Sequence, residues 1–120
     1  MMNKRNGDLN EVLYRGRREA IGICDVVVMD TDVDGHKLDP RFDLVNHSPT
    51  GFEWGYGGSG PAQLSLAILA DYLGDDQMAL DLYQDFKWDI VAQLPDVWKL
   101  TRKYIEDEIS YLKWRRKGEF

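Results

Sequence analysis

Ser59-Gly60-Pro61-Ala62-Gln63-Leu64-Ser65-Leu66-Ala67-Ile68-Leu69-Ala70-Asp71-Tyr72-Leu73-Gly74-Asp75-Asp76 decides the fold class. Gly60 followed by Pro61 marks a helix start, because the fixed φ of proline suits the first turn and the N–H it lacks would have no partner there. Gln63 sits where its side chain can reach back onto the preceding chain. Leu64, Ala67, Ile68, Ala70 and Leu73 cover much of the circumference, so this helix is expected to be well buried. Gly74 is its expected stop. Asp75 or Asp76 then caps a second helix, in which Ala79, Tyr83, Phe86, Ile90 and Leu94 recur at helical spacing until Pro95. A third helix is expected after Thr101, with Ile105, Ile109 and Leu112 on one stripe.

Upstream the pattern changes to strands. Residues 1–10 are polar and without period, and read as a flexible arm. Glu11 to Gly16 predicts a first short strand. Ala20 to Met29, with Ile21, Ile23, Val26, Val27 and Val28, predicts a second from its β-branched content. Thr31-Asp32-Val33-Asp34-Gly35 predicts a turn, since Asp-Gly is a strong hairpin signal. A third extended piece is expected at Arg41 to Val45. Strands first and helices afterwards predict an α+β fold: a small N-terminal antiparallel sheet of about three strands, packed by three C-terminal helices. At 120 residues the chain is expected to form a single domain, 1–120.

Hydrophobic residues make up 43% of the chain, which argues against intrinsic disorder. No apolar run approaches the roughly 20 residues of a membrane span, and the N-terminus does not read as a secretory signal. Cys24 is the one cysteine, so an intramolecular disulfide and a cysteine-based zinc site are excluded. A cytoplasmic protein is expected, without membrane partners. The formal net charge of −6 disfavours general nucleic-acid binding. The charge is uneven, however. Arg15, Arg17 and Arg18 cluster early and Lys113, Arg115, Arg116 and Lys117 late; either group offers a local anion site, though a solvated surface is the commoner explanation.

The most unusual stretch runs from Asn46 to Pro61. Gly51, Gly55, Gly57, Gly58 and Gly60 are interleaved with Phe52, Trp54 and Tyr56 immediately before the first helix. Unpaired N–H groups and a partial positive charge at a helix N-terminus favour an anion. Aromatic rings can stack on a flat ligand. Gly57, Gly58, Ser59, Gly60 and Gln63 would meet phosphate, Trp54 or Tyr56 would stack, Phe52 and His47 complete the candidate ligand-binding set, and Arg15 or Arg41 would neutralise charge. The competing account is packing: the glycines let the loop lie close under the helix while the aromatics fill the core.

Gly55, Gly57 and Gly60 satisfy G-x-G-x-x-G, but a second helix follows where a dinucleotide fold needs a parallel strand. Pro61 stands where a phosphate loop needs lysine. Asp30-Thr31-Asp32-Val33-Asp34-Gly35 begins like a calcium loop, but the twelfth position is Arg41 rather than glutamate, and a hairpin turn is the better reading. His36 and His47 alone make no metal site, and His47-Ser48 has no third member. Asn46, Ser48 and Thr50 around Pro49 read more simply as a turn. Glu53 beside Trp54 would have a raised pKa if buried; pairing with Arg15, Arg17 or Arg41 is more ordinary. No catalytic residues, metal or cofactor are expected.

The long run Arg41-Phe42-Asp43-Leu44-Val45-Asn46-His47-Ser48-Pro49-Thr50-Gly51-Phe52-Glu53-Trp54-Gly55-Tyr56-Gly57-Gly58-Ser59-Gly60-Pro61-Ala62-Gln63-Leu64 resembles an uncharacterised family catalogued as a domain of unknown function. Tyr14-Arg15-Gly16 and Leu82-Tyr83-Gln84-Asp85-Phe86-Lys87 extend the likeness over most of the chain. The resemblance implies occurrence in bacteria, archaea and their phages and plasmids, and with it mobile-element company, where an anti-defence role in the host cytoplasm is common. It implies no established activity.

Two functions follow. The first is a non-enzymatic protein that binds or sequesters a phosphorylated, nucleotide-like signal at the glycine-rich loop. The alternative is a protein-binding module that inhibits a host defence protein through its acidic surface and aromatic loop. A homo-oligomer would supply further walls to a pocket in so small a domain.

Overall fold

The computed structural model describes residues 8–20, 22–29 and 35–117. Four strands and three helices follow one another as β1 (Val12–Arg18), β2 (Cys24–Val28), β3 (His36–Lys37), α1 (Ser59–Leu73), α2 (Asp76–Asp89), a 3-10 turn (Val91–Gln93), β4 (Val97–Thr101) and α3 (Arg102–Lys117). The strands form one antiparallel sheet in the order β3-β2-β1-β4. The fold is α+β, with helices on one face of that sheet.

The alternation of β1 and β4 explains the arrangement. Tyr14, Gly16, Trp98 and Leu100 are buried, while Arg15, Arg17, Val97 and Lys99 are exposed. One face therefore meets the helices and the other meets water. Tyr14 sits opposite Leu100 and Gly16 opposite Trp98. Gly16 is required there: a Cβ would lie 2.3 Å from the Trp98 ring. The Tyr14 hydroxyl donates to Asp71, tying β1 to α1.

α1 is buried almost all round, from Gly60 to Leu73. Gly74 stops it in the left-handed conformation, φ 64°, with its N–H donating to Ala70 O. Asp75 caps α2 by accepting from the Met78 N–H at 3.1 Å. With two residues between them, α1 and α2 form an antiparallel hairpin, pinned where Ser65 Oγ donates to Tyr83 O at 2.6 Å.

Three sequence expectations change. The third strand is His36–Lys37, paired with Val27 and Val28, rather than Arg41–Val45. Pro40 has no N–H for a ladder, Arg41 takes a positive φ of 57°, and Leu44 N–H closes a turn onto Arg41 O. A fourth strand, Val97–Thr101, fills the gap between Pro95 and α3. The second helix ends at Asp89, so Ile90 and Val91 enter the core from a 3-10 turn instead of a continued helix. The Asp30-to-Asp34 turn and calcium-loop readings, Ile21 of the second strand, and the arm up to Gly7 lie outside the described residues.

Candidate functional site

The glycine-rich segment divides into a buried half and an exposed half. Trp54 is completely buried, set edge-on to Trp98 with ring centroids 5.5 Å apart at 89°, and the Arg18 guanidinium lies 5.1 Å from its centroid. An edge-to-face pair of this kind contributes about 0.5–1.5 kcal/mol beyond the area it buries. Trp54 is therefore core and cannot stack on a ligand. Phe52 packs against the same core. Glu53 pairs with Arg18 at 2.7 Å, and the same guanidinium donates to Trp54 O at 2.8 Å and pairs with Asp96. Burial pushes the Glu53 carboxyl up, but Arg18, Cys24 and the Trp54 N–H outweigh it and hold it below its ordinary value. That is the opposite of a poised general acid. Burial likewise pushes the Cys24 thiol up, leaving it a poor nucleophile.

Gln63 is fully buried and fully bonded. Its Oε1 accepts from His47 N at 2.7 Å and Ser48 N at 3.1 Å, while Nε2 donates to Pro40 O at 2.7 Å and Val45 O at 3.0 Å. One amide thus replaces secondary structure for the loop from Pro40 to Ser48. His47 Nε2 lies 2.7 Å from Tyr83 Oη, which fastens the loop to α2. Arg41 is held by two carboxylates, Asp43 at 2.9 Å and Asp76 at 2.8 Å, the second at the first residue of α2. It is a strut between loop and helix. Arg15 points outward on the solvent face of the sheet, away from the helices.

The exposed half is built on α2. A Cβ on Gly57 would meet the Trp88 ring at 2.1 Å, and one on Gly58 would meet the Tyr56 ring at 2.6 Å. A Cβ on Gly60 would lie 2.6 Å from Glu53 Cβ. These three glycines serve close packing. The walls they create are Tyr56 and Trp88, 51% and 56% exposed. Between them α1 begins: its N-cap is Gly58, no side chain caps it, and no acidic residue stands in its first turn. The first backbone bond of the helix runs from Ala62 N–H to Gly58 O, and Pro61 has no N–H, so the donors left without a helical partner are those of Ser59 and Gly60.

Lys87 completes this corner. Since Ser65 bonds to Tyr83 in the antiparallel hairpin, one turn further along α2 brings position 87 level with Pro61 in the first turn of α1. Lys87 is only 8% exposed, yet among the described residues its ammonium makes no ion pair or hydrogen bond. Its close partner is the Trp88 ring, 4.5 Å from Nζ to centroid. A cation over that indole, and the indole against Gly57, together place positive charge at the uncapped start of α1. Neither Lys87 nor Trp88 is visible as a site residue from local sequence; the hairpin register that joins them to Gly57 is a tertiary fact.

Among the described residues, no group of three or more His, Cys, Asp or Glu side chains could hold a metal ion. No helix among them is long and apolar enough to cross a membrane. The model of one family, described as a family of unknown function (DUF6166), matches residues 14–111. No curated protein and no solved structure matches the chain.

Proposed function

The chain belongs to DUF6166, and since membership of a family of unknown function brings no activity with it, we propose from the geometry that it is a non-enzymatic binder of a phosphorylated, nucleotide-like small molecule at the start of α1. The observation that carries this reading is Lys87, whose ammonium lies over the Trp88 ring with no ion pair among the described residues, beside an uncapped helix N-terminus. A phosphate on the Ser59 and Gly60 N–H groups would pair with that ammonium and sit at the positive end of the helix dipole. Trp88 and Tyr56 would flank the flat part of the ligand. Among the described residues no nucleophile–base pair adjoins this corner, which favours sequestration over turnover in this reading.

Native mass spectrometry of protein purified from cells tests it. A bound mass, or a thermal shift within a nucleotide panel, is expected to disappear in Lys87→Met with Trp88→Ala while the fold persists. A clean mass and no shift from any nucleotide would sink the proposal. The exposed Tyr104, Tyr111 and Trp114 on α3 favour a second reading, a protein-binding module, because exposed aromatics are typical interface anchors. Under that reading Tyr111→Ala with Trp114→Ala abolishes capture of a specific partner, and the Lys87 and Trp88 changes do not.

A further inference from the structure

The solvent face of the sheet carries a charge pattern opposite to that of the whole protein. Along β1 the pleat turns Arg15 and Arg17 outward. Arg15 stands opposite Val27 of β2 and Lys99 of β4, and Arg17 stands opposite Asp25 and Val97. Lys37 of β3 is the partner of Val27. Directly paired residues share a face, so Lys37, Val27, Arg15 and Lys99 form one row across all four strands. Arg17 follows two residues along. Asp25 is the single carboxylate at these paired outward positions.

None of Arg15, Arg17, Lys37 and Lys99 makes an ion pair or side-chain hydrogen bond among the described residues. Like charges directly opposite each other, as Arg15 and Lys99 are, destabilise a sheet. A chain of net charge −6 has ample carboxylates to neutralise such a row, yet among the described residues paired across it Asp25 is the one carboxylate. This face also carries an open hollow of about 470 Å3, lined by Arg15, Arg17, Asp25, Val27, Val97 and Lys99 among others. That volume falls within the range of small-molecule sites, about 300–1,000 Å3. No aromatic ring occupies the outward positions, so a base would find nothing to stack on, whereas clustered cations suit clustered phosphate charge.

We propose that this face binds a compact polyanion, a small molecule with two or more linked phosphate groups. The site is separate from the start of α1 and does not depend on it: Lys87 and Trp88 take no part. Guanidinium groups of Arg15 and Arg17 hold phosphate oxygens through paired N–H donors, and Lys99 and Lys37 add point charge from the flanking strands.

Isothermal titration of the full chain with inorganic triphosphate tests this. Binding is expected, weakening with added salt, and falling roughly tenfold or more in Arg15→Gln with Lys99→Gln, a loss of about 1.4 kcal/mol. It is expected to be unchanged in Lys87→Met with Trp88→Ala, which separates this site from the other. The double variant should melt at the same temperature or higher, because a like-charge contact has been removed; Arg17→Gln provides a second, independent arm. No binding at millimolar triphosphate would overturn the proposal, as would equal binding by the variants. Tighter binding of a single-stranded oligonucleotide that displaces triphosphate would also overturn it, by assigning the face to a nucleic-acid backbone.

Discussion

The indole of Trp88 lies so close over Gly57 that a Cβ at that position would come within 2.1 Å of the ring. Trp88 is more than half exposed, so its ring is free to swing outward. Gly57→Ala is therefore expected to change stability little, within about 0.5 kcal/mol of wild type, as surface substitutions usually do. It should nevertheless expose Trp88 further and detach Lys87 from its ring. A red shift of Trp88 emission with an unchanged melting temperature is the expected pair of readings. A large loss of stability would show that the ring cannot move.

Gly16 offers the contrast. Its missing Cβ would lie 2.3 Å from Trp98, but that ring is 4% exposed and locked edge-on to Trp54. Neither ring has solvent to move into. Gly16→Ala overpacks the core and is expected to cost about 1–3 kcal/mol in denaturant melts. Gly16→Ala combined with Trp98→Phe should recover part of it, which a purely backbone effect of the alanine would not permit.

Gln63 makes four of the hydrogen bonds that tie down a loop with no ladder of its own. Gln63→Leu keeps the volume and removes all four hydrogen bonds, stranding Pro40 O, Val45 O, His47 N and Ser48 N. Stranded groups cost about 1–3 kcal/mol each when they stay buried, less as the loop opens to water. We expect a loss of about 2–4 kcal/mol and much faster amide exchange at His47 and Ser48. The rise in exchange should be smaller in α2, apart from the turn around Tyr83.

The helical half was legible because its signals are local. Gly74 and Asp75 act where their chemistry places them, one as a left-handed stop and one as a cap. Val97–Thr101 was missed although Trp98 and Leu100 alternate with Val97 and Lys99, because five residues between Pro95 and a helix give too short a period to separate from a linker. Arg41–Val45 misled for the converse reason: an apolar, extended-looking stretch that Pro40 and the positive φ of Arg41 take out of the ladder. At the candidate site, composition exposed the loop but not which aromatic faces water. Trp54 is sealed by Trp98, a residue of the unforeseen strand, and Trp88 takes the exposed place through the α1–α2 register. The basic row had half its members in view, Arg15 and Arg17, while Lys37 and Lys99 joined it only through pairing.

Glu108 on α3 has a buried Oε2 with no hydrogen-bond partner. Burial, and then the neighbouring Asp89 carboxylate with Asp85 behind it, raise its carboxyl from the ordinary 4.5 to about 8, against the opposing charge of Arg115. Arg115 is itself shared with Asp85 at 3.3 Å and Asp89 at 3.9 Å, so it cannot neutralise all three acids. At neutral pH the folded chain therefore holds a proton that the unfolded chain has released. Stability must fall as pH rises wherever the folded state binds more protons. The loss begins above about 4.5 and is complete once the folded carboxyl has ionised near 8. Glu108→Gln removes the titrating group while keeping a neutral side chain of the same shape. The melting temperature of the wild type is expected to decline between pH 5 and 9 relative to that of Glu108→Gln, the two curves lying closest at the acid end. Parallel curves would mean that Glu108 is ionised in the folded protein, with Arg115 serving it ahead of Asp85 and Asp89.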